Sequence, residues 1–266
     1  MPANERAALR DPLQAIMREA GDLARETARR PFRRWTKGND RSPVTEADIA
    51  VNDLLRARLT GLLPDAAWLS EESEQPPGGY LDRTWVVDPI DGTRDYIAGG
   101  AEWAISVALV EDGRPRLAAL FAPASEQMFL ATEGEGATLN GQAITANRGS
   151  ALAGARLAGP KRYLERLSTL DPAILPQPRV PSLALRLARV AQGTLDAAFA
   201  SPGSHDWDLA AADLLVYEAG GLFTDFSGRR PLYNHPRTEH GALVAAGAAC
   251  HGLLMAAVRD RRGEFA

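Results

Sequence analysis

Hydrophobic positions in the first sixty residues recur at helical spacing. Leu13, Ile16, Met17, Ala20, Leu23, Ala24 and Thr27 predict an amphipathic helix over residues 11–30, ended by Pro31. A polar, flexible segment, residues 36–41, is expected next. Thr45-Glu46-Ala47-Asp48 reads as a helix start with acids in its first turn, and Val51, Leu54, Leu55 and Leu59 carry that helix to about Thr60. The period then changes. Ile105, Val107 and Leu109 alternate with smaller residues and predict a strand, turned by Glu111-Asp112-Gly113. Residues 117–121, 127–131 and 137–144 continue as short strands, the last broken by the turn Asn140-Gly141. The result is an antiparallel meander. Gly134-Glu135-Gly136 belongs to a hairpin rather than a nucleotide loop, because no helical pattern follows it.

The last third reads differently. Residues 182–192 predict a helix stopped by Gly193, and 195–199 a strand. Leu209, Ala212, Val216 and Ala219 share one face of a helix over 208–219, stopped by Gly220-Gly221. Strands over 222–224 and 242–246 and a final helix over about 248–260 complete an alternating α/β pattern. Five prolines between Pro160 and Pro181 mark a boundary, which divides the chain into residues 1–147 and 148–266.

Composition narrows the class. With 266 residues, 45% of them hydrophobic, the chain has enough apolar mass for one large core or two packed halves. A net charge of −4, with scattered arginines, gives no electrostatic footprint for a nucleic-acid polymer. Cys250 is the only cysteine, so no intrachain disulfide forms. No apolar run spans a membrane, and no hydrophobic signal region opens the chain. The expectation is a soluble cytoplasmic protein.

The chemistry gathers around acids. Trp85-Val86-Val87 reads as a buried strand, and it delivers Asp88-Pro89-Ile90-Asp91 followed by Gly92-Thr93. Glu71-Glu72 follows a second apolar run, Asp206-Trp207-Asp208 stands at the mouth of a helix, and Asp48 lies in the first turn of another. Each has an ordinary explanation alone. Asp208 suits a helix cap, Asp48 a dipole partner, and Glu71-Glu72 a solvated loop. Together they offer hard oxygen ligands from separate segments, as Mg²⁺ prefers. Two such ions about 4 Å apart can clamp both the attacking water and the leaving oxygen of a phosphate ester. Gly92 and Thr93 amides can hold the phosphate if a short helix starts there. A structural calcium site needs more ligands and does not explain Thr93.

The order Glu71-Glu72, Asp88-Pro-Ile-Asp-Gly-Thr93 and Trp207-Asp208, with Glu218-Ala-Gly-Gly221 closing the last helix, resembles the inositol monophosphatase superfamily. These are Mg²⁺-dependent, typically lithium-sensitive phosphomonoesterases. The resemblance runs from Lys37 to the final helix. It implies a layered αβαβα fold of mixed α+β and α/β character, a homodimer, and two or three Mg²⁺ ions. By position it implies Glu71, Asp88 and the Ile90 carbonyl at one ion, and Asp88, Asp91 and Asp208 at a second. Glu71, and Thr93 paired with Asp48, would activate water; Lys37 would support the site. Asp91, Gly92, Thr93, Leu183 and Ser201 fall at substrate positions.

The substrate expected is a small phosphorylated metabolite. Inositol-specific members usually continue Asp-Gly-Thr with Thr-Asn-Phe, whereas this chain has Arg94-Asp95-Tyr96-Ile97. That run resembles the bisphosphate nucleotidase branch, which acts on 3′-phosphoadenosine 5′-phosphate. Ser201 stands where inositol-specific members tend to carry glutamate, and Pro181-Ser182-Leu183 replaces the usual Gly-Ser-Ala. Inositol 1-phosphate, histidinol phosphate and fructose 1,6-bisphosphate stay open. Arg94, Lys161, Arg162 and Arg186 are candidates for holding a second phosphate, and His205 for a structural or a substrate contact. Tyr96, Trp103 and Cys250 are expected in the core. A non-catalytic metal-binding regulator would predict a broken constellation, but Lys37, Asp48, Glu71, Asp88, Asp91, Thr93 and Asp208 are all present.

Overall fold

The computed structural model describes residues 3–37, 42–73, 82–149 and 151–259. Helix α1 (Ala3–Ala28) opens the chain, followed by β1 (Arg34–Lys37), β2 (Ser42–Thr45) and α2 (Glu46–Leu62). Strands β3 (Ala67–Ser70) and β4 (Arg83–Asp91), the short helix α3 (Thr93–Ile97), then β5 (Ala104–Glu111), β6 (Arg114–Ala122), β7 (Gln127–Thr132), β8 (Gly136–Leu139) and β9 (Gln142–Ile144) follow. Next come β10 (Arg156–Ala158), α4 (Lys161–Leu170), β11 (Leu175–Pro176), α5 (Leu183–Ala191), β12 (Ala197–Ala200) and β13 (Ser204–His205). The chain ends with α6 (Asp206–Glu218), β14 (Gly221–Asp225), β15 (Glu239–His240), β16 (Leu243–Gly247) and α7 (Ala248–Ala257).

Among the described residues two large sheets alternate with three helical layers, as the expected αβαβα arrangement requires, and two-stranded ribbons β1-β2 and β13-β15 lie beside them. The larger sheet runs β3-β4-β5-β6-β7-β8-β9, parallel only between β3 and β4. Strand alternation divides its side chains between two cores. Trp85, Val87, Ile105, Val107 and Leu109 face α1 and α2, where they meet Met17, Val51 and Leu55. Val86, Ala104, Ala108 and Val110 face α5 and α6. Those two helices are sandwiched between the sheets, which explains why α6 buries residues all round its circumference. The second sheet, β11-β10-β12-β16-β14, covers the other side of α5 and α6. Its outer face packs Leu157, Phe199 and Val244 against Tyr163 and Leu167 of α4 and Leu254 of α7. Cys250 is buried there, as expected.

Several expected boundaries change. Helix α1 starts at Ala3 and contains Pro12. Pro12 is exposed, so its missing N–H lies toward solvent. The added turns are tied to the sheet by Arg6, paired with Glu111 and Glu133, and by Arg10, which donates to Thr138. Thr36 and Lys37 belong to a strand of the β1–β2 ribbon rather than to a flexible segment; residues 38–41 lie outside the described residues. The proline-rich stretch follows β10 and carries α4 and β11, with Pro160 at the N-cap of α4. The final helix ends at Ala257, and residue 260 lies outside the described residues. The Asn140-Gly141 turn and the hairpin over 133–136 stand as read, with Asn140, Gly141, Gly134 and Gly136 at positive φ. No described helix is long and apolar enough to cross a membrane.

Candidate metal centre

The site begins with an irregularity in β4. Asp88 has the strand parity of Val86 and faces α6. In unbroken alternation Asp91, three residues on, would turn away with Trp85 and Val87. The ladder to β5 pairs Asp88 with Ser106 but Asp91 with Ala104, so three steps of β4 span two of β5. This bulge at Pro89-Ile90 keeps both carboxylates on one side. Proline suits the position because it brings no N–H to leave unpaired. The Ile90 N–H donates to Asp88 Oδ1 at 3.0 Å.

Gly92 then turns the chain at φ 96°. A Cβ there would meet the Glu102 carbonyl at 3.0 Å and the Ser182 nitrogen at 3.3 Å, so the position is closed to side chains on two grounds. Helix α3 starts at Thr93, whose hydroxyl lies 3.2 Å from Asp48 Oδ1 and 3.0 Å from the Ile90 carbonyl. Asp48 is the third residue of α2. Its Oδ2 accepts from the Thr45 N–H at 2.8 Å and the Thr45 hydroxyl at 2.6 Å, a capping box that fixes Oδ1 toward Thr93.

Asp91 Oδ2 accepts from the Ser182 hydroxyl and the Ala184 N–H, both at 2.6 Å. Ser182 also caps α5 by accepting from the Leu185 N–H. Asp208 is the third residue of α6 rather than its cap; its Oδ2 accepts from the His205 N–H at 2.6 Å. One oxygen from each of Asp88, Asp91 and Asp208 lies within 4.8 Å of the others. Glu71 joins the same cleft after β3. Lys37 bridges Glu71 Oε1 at 3.1 Å and Glu72 Oε1 at 2.6 Å, and donates to the Glu71 carbonyl at 3.1 Å.

Charge accumulates here without matching cations. Burial pushes the Asp88 carboxyl well above the usual range, and Glu71, Asp91 and Asp208 push it further. Asp208 is raised well above its ordinary value by burial and then by Asp91. Burial also raises Asp91 against the bonds from Ser182 and Ala184, Glu71 against the pull of Lys37, and Asp48 against its capping bonds. Burial works against the charge on Lys37, but Glu71 and Glu72 together lift it above the ordinary lysine value. The donor set is all oxygen, anionic and convergent, and so fits a hard divalent cation such as Mg²⁺.

The cleft is lined by Glu71, Asp88, Ile90, Asp91, Gly92, Thr93 and Asp208, with Ser42, Pro43, Arg94, Arg179 and Pro181 around them. Leu183 and Ser201 do not line it. Leu183 offers its backbone N–H to Asp91 and packs its side chain on the central core, and the Ser201 carbonyl accepts from Ser204. Lys161 pairs with Glu165, and Arg162 lies over the Tyr163 ring. Arg186 is held near Asp91, and burial lowers its guanidinium to about 10. Tyr96 is core, donating to the Ala24 carbonyl at 2.8 Å and meeting Trp103 edge-on. His205 makes structural contacts with Thr238 and the Trp207 ring. Arg179 escaped the sequence reading because it sits among prolines with no periodic context. Ser182 carried a better signal: a serine at the very start of a predicted helix, where a cap is favoured.

The Inositol monophosphatase family model matches residues 6–262. The Nus factor SuhB of Pseudomonas aeruginosa is 34% identical over 229 residues, covering 81% of this chain and 82% of that protein. A fructose-1,6-bisphosphatase/inositol-1-monophosphatase of Thermotoga maritima is 33% identical over 192 residues, 70% of this chain and 72% of the other. Among solved structures, an IMPase of Thermotoga maritima superposes with a TM-score of 0.83 at 26% identity, over 96% of this chain and 98% of that one.

Proposed function

Because the chain belongs to the inositol monophosphatase family, and is a phosphoric monoester hydrolase of it, we propose that it hydrolyses a small bisphosphorylated metabolite with Mg²⁺. The first candidate is 3′-phosphoadenosine 5′-phosphate. The observation that carries the hydrolytic reading is the Thr93–Asp48 pair set beside the Asp88-Asp91-Asp208 cluster. Glu71, Asp88 and the Ile90 carbonyl would hold one ion, and Asp88, Asp91 and Asp208 a second, with two or three ions in all. Bound there, Mg²⁺ neutralises phosphate charge and makes water a stronger acid near neutral pH.

The chain's own groups do the rest. Asp48 fixes the Thr93 hydroxyl, so the Thr93 oxygen faces the cleft as an acceptor for a water proton, with Glu71 orienting that water. The Gly92 and Thr93 amides stand at the turn where a phosphate would lie. Lys37 holds Glu71 in place. Arg94 and Arg179 line the same cleft and support a second anionic group on the substrate. Lithium at millimolar concentration would compete for a cation position. The same reading takes residues 1–147 and 148–266 as two halves, the second supplying Asp208, in a cytoplasmic homodimer whose mass light scattering would test.

The test is phosphate release with Mg²⁺ from 3′-phosphoadenosine 5′-phosphate, inositol 1-phosphate, histidinol phosphate and fructose 1,6-bisphosphate, ranked by kcat/KM. Preference for the nucleotide supports the reading. Preference for inositol 1-phosphate would retain the hydrolytic chemistry and remove the nucleotide assignment. The name of the Pseudomonas relative, Nus factor, supports a second, regulatory role on the same fold beside hydrolysis. A panel on which every ester turns over slowly would favour it.

A further inference from the structure

Asp206 is fully buried, two residues before Asp208, and lies outside the carboxylate cluster. A buried carboxylate at a helix start calls for explanation, because the helix dipole alone does not offset complete removal from water. The N–H and both side-chain oxygens of Asp206 reach the same neighbouring segment. Its N–H donates to the Thr238 carbonyl at 2.9 Å. Its Oδ2 accepts from the Asn234 N–H at 2.7 Å, and its Oδ1 lies 2.7 Å from His240 Nε2. That segment is itself paired to the residues just before α6, with Ser204 opposite His240 and His205 opposite Glu239.

We infer that Asp206 and His240 are positioning residues for the cation site, because together they fix the first turn of α6 and so the place of Asp208. The link is short. His205 is held twice by the 234–240 segment, by its strand pairing and by Thr238 Oγ1, 3.2 Å from its Nδ1. The His205 N–H is the donor to Asp208 Oδ2. Rotation of the helix start about its axis would move that N–H and the Asp208 carboxylate together, away from Asp88 and Asp91. On the other side, the Ser106 hydroxyl reaches the Trp207 carbonyl at 3.3 Å from the strand that pairs with Asp88. The first turn is thus clamped between β5 and the 234–240 segment. The inference rests on Asp208 holding the cation; Asp206 touches neither cation nor substrate.

The test measures Mg²⁺ binding by calorimetry and, in parallel, kcat at saturating Mg²⁺. Asp206→Ala should weaken Mg²⁺ binding about tenfold, as loss of a partner behind a metal ligand does. Asp206→Asn keeps an acceptor for Asn234 and a polar contact to His240, and should stay within about threefold of wild type. His240→Ala, which removes one bond of the clamp, should fall between them, and serves if Asp206→Ala does not fold. Asp196→Asn breaks a buried carboxylate's bonds in the other sheet and should leave Mg²⁺ binding unchanged. The inference is overturned if Asp206→Ala and His240→Ala both bind Mg²⁺ like wild type, or if Asp196→Asn weakens binding as much as they do. Wild-type protein that binds no Mg²⁺ would overturn it together with the proposed metal chemistry.

Discussion

Asp196 and Asp88 are both carboxylates with little exposure, yet their surroundings oppose each other. Asp196 Oδ2 accepts from the Arg156 N–H and Nε–H, and the Asn147 amide reaches Oδ1. Burial works to raise its carboxyl, but the Arg156 and Asn147 bonds bring it below the usual range. Asp88 has the Ile90 N–H, and the charges that act on it most strongly, Glu71, Asp91, Asp208 and Asp48, are all acids. Asp196 is therefore a finished interaction. The Asp88 cluster has no such balance, and on the proposed reading a cation would supply it. Burial alone does not separate a structural acid from a functional one; the sign of its neighbours does.

The sharpest way to break this comparison is a neutralising pair. Asp208→Asn should lower kcat/KM by about 10³-fold or more, and the melting temperature of Mg²⁺-free protein should hold or rise because one repelling charge is gone. Asp196→Asn should do the reverse, keeping turnover and losing about 1–2 kcal/mol, or a few degrees of Tm. Near-normal turnover in Asp208→Asn would end the metal assignment.

Thr93→Ala comes next. A fall in kcat of about 10²-fold, with Mg²⁺ affinity within about threefold, is expected of a group that handles the water proton. If calorimetry shows affinity falling and kcat intact, Thr93 is structural. Arg179→Ala should raise KM for a bisphosphate about tenfold and leave a matched monophosphate unchanged. Equal losses on both would remove Arg179 from second-phosphate recognition.

The smallest effect is on pH. Folded Asp88 and Asp208 carboxyls sit above their unfolded values, so in this range the folded state holds more protons. Stability of Mg²⁺-free protein is then greatest below the unfolded pKa of about 4 and declines as pH rises through the raised folded values. Asp196, lowered, contributes the opposite slope: its stabilisation is present above about pH 4 and fades in stronger acid. Thermal melts at pH 5 and pH 8 should differ by a few degrees without Mg²⁺, and the gap should shrink in Asp208→Asn. An unchanged gap would mean that Asp208 does not carry the excess charge.

The sequence made the meander and the acid cluster legible for different reasons. Alternation at Ile105, Val107 and Leu109 is a local code, and it survives folding because each sheet face has its own core. The β1–β2 ribbon lacked such a code, since Arg34, Trp35 and Thr36 are all exposed. The start of α1 depended on distant partners at Glu133 and Thr138. Helix α4 was readable, with Tyr163, Leu164 and Leu167 on one face, but the neighbouring prolines suggested a boundary instead. Within the cleft, the residues expected as ligands converge. Ser182, which bonds Asp91, and His240, which bonds Asp206 beside Asp208, come from chain segments that no spacing in the sequence connects to these acids.

A regular sheet is a lattice with a repeat of two residues, and Pro89-Ile90 is a dislocation in it. Chain on either side of a dislocation moves as a block. A residue gained or lost nearer Arg83 shifts Asp88 and Asp91 together against β5. A residue gained or lost between them shifts one acid against the other and relocates the Ile90 carbonyl, while every acidic side chain stays in the sequence. The site's tolerance to length change is therefore smallest across two residues that carry no charge.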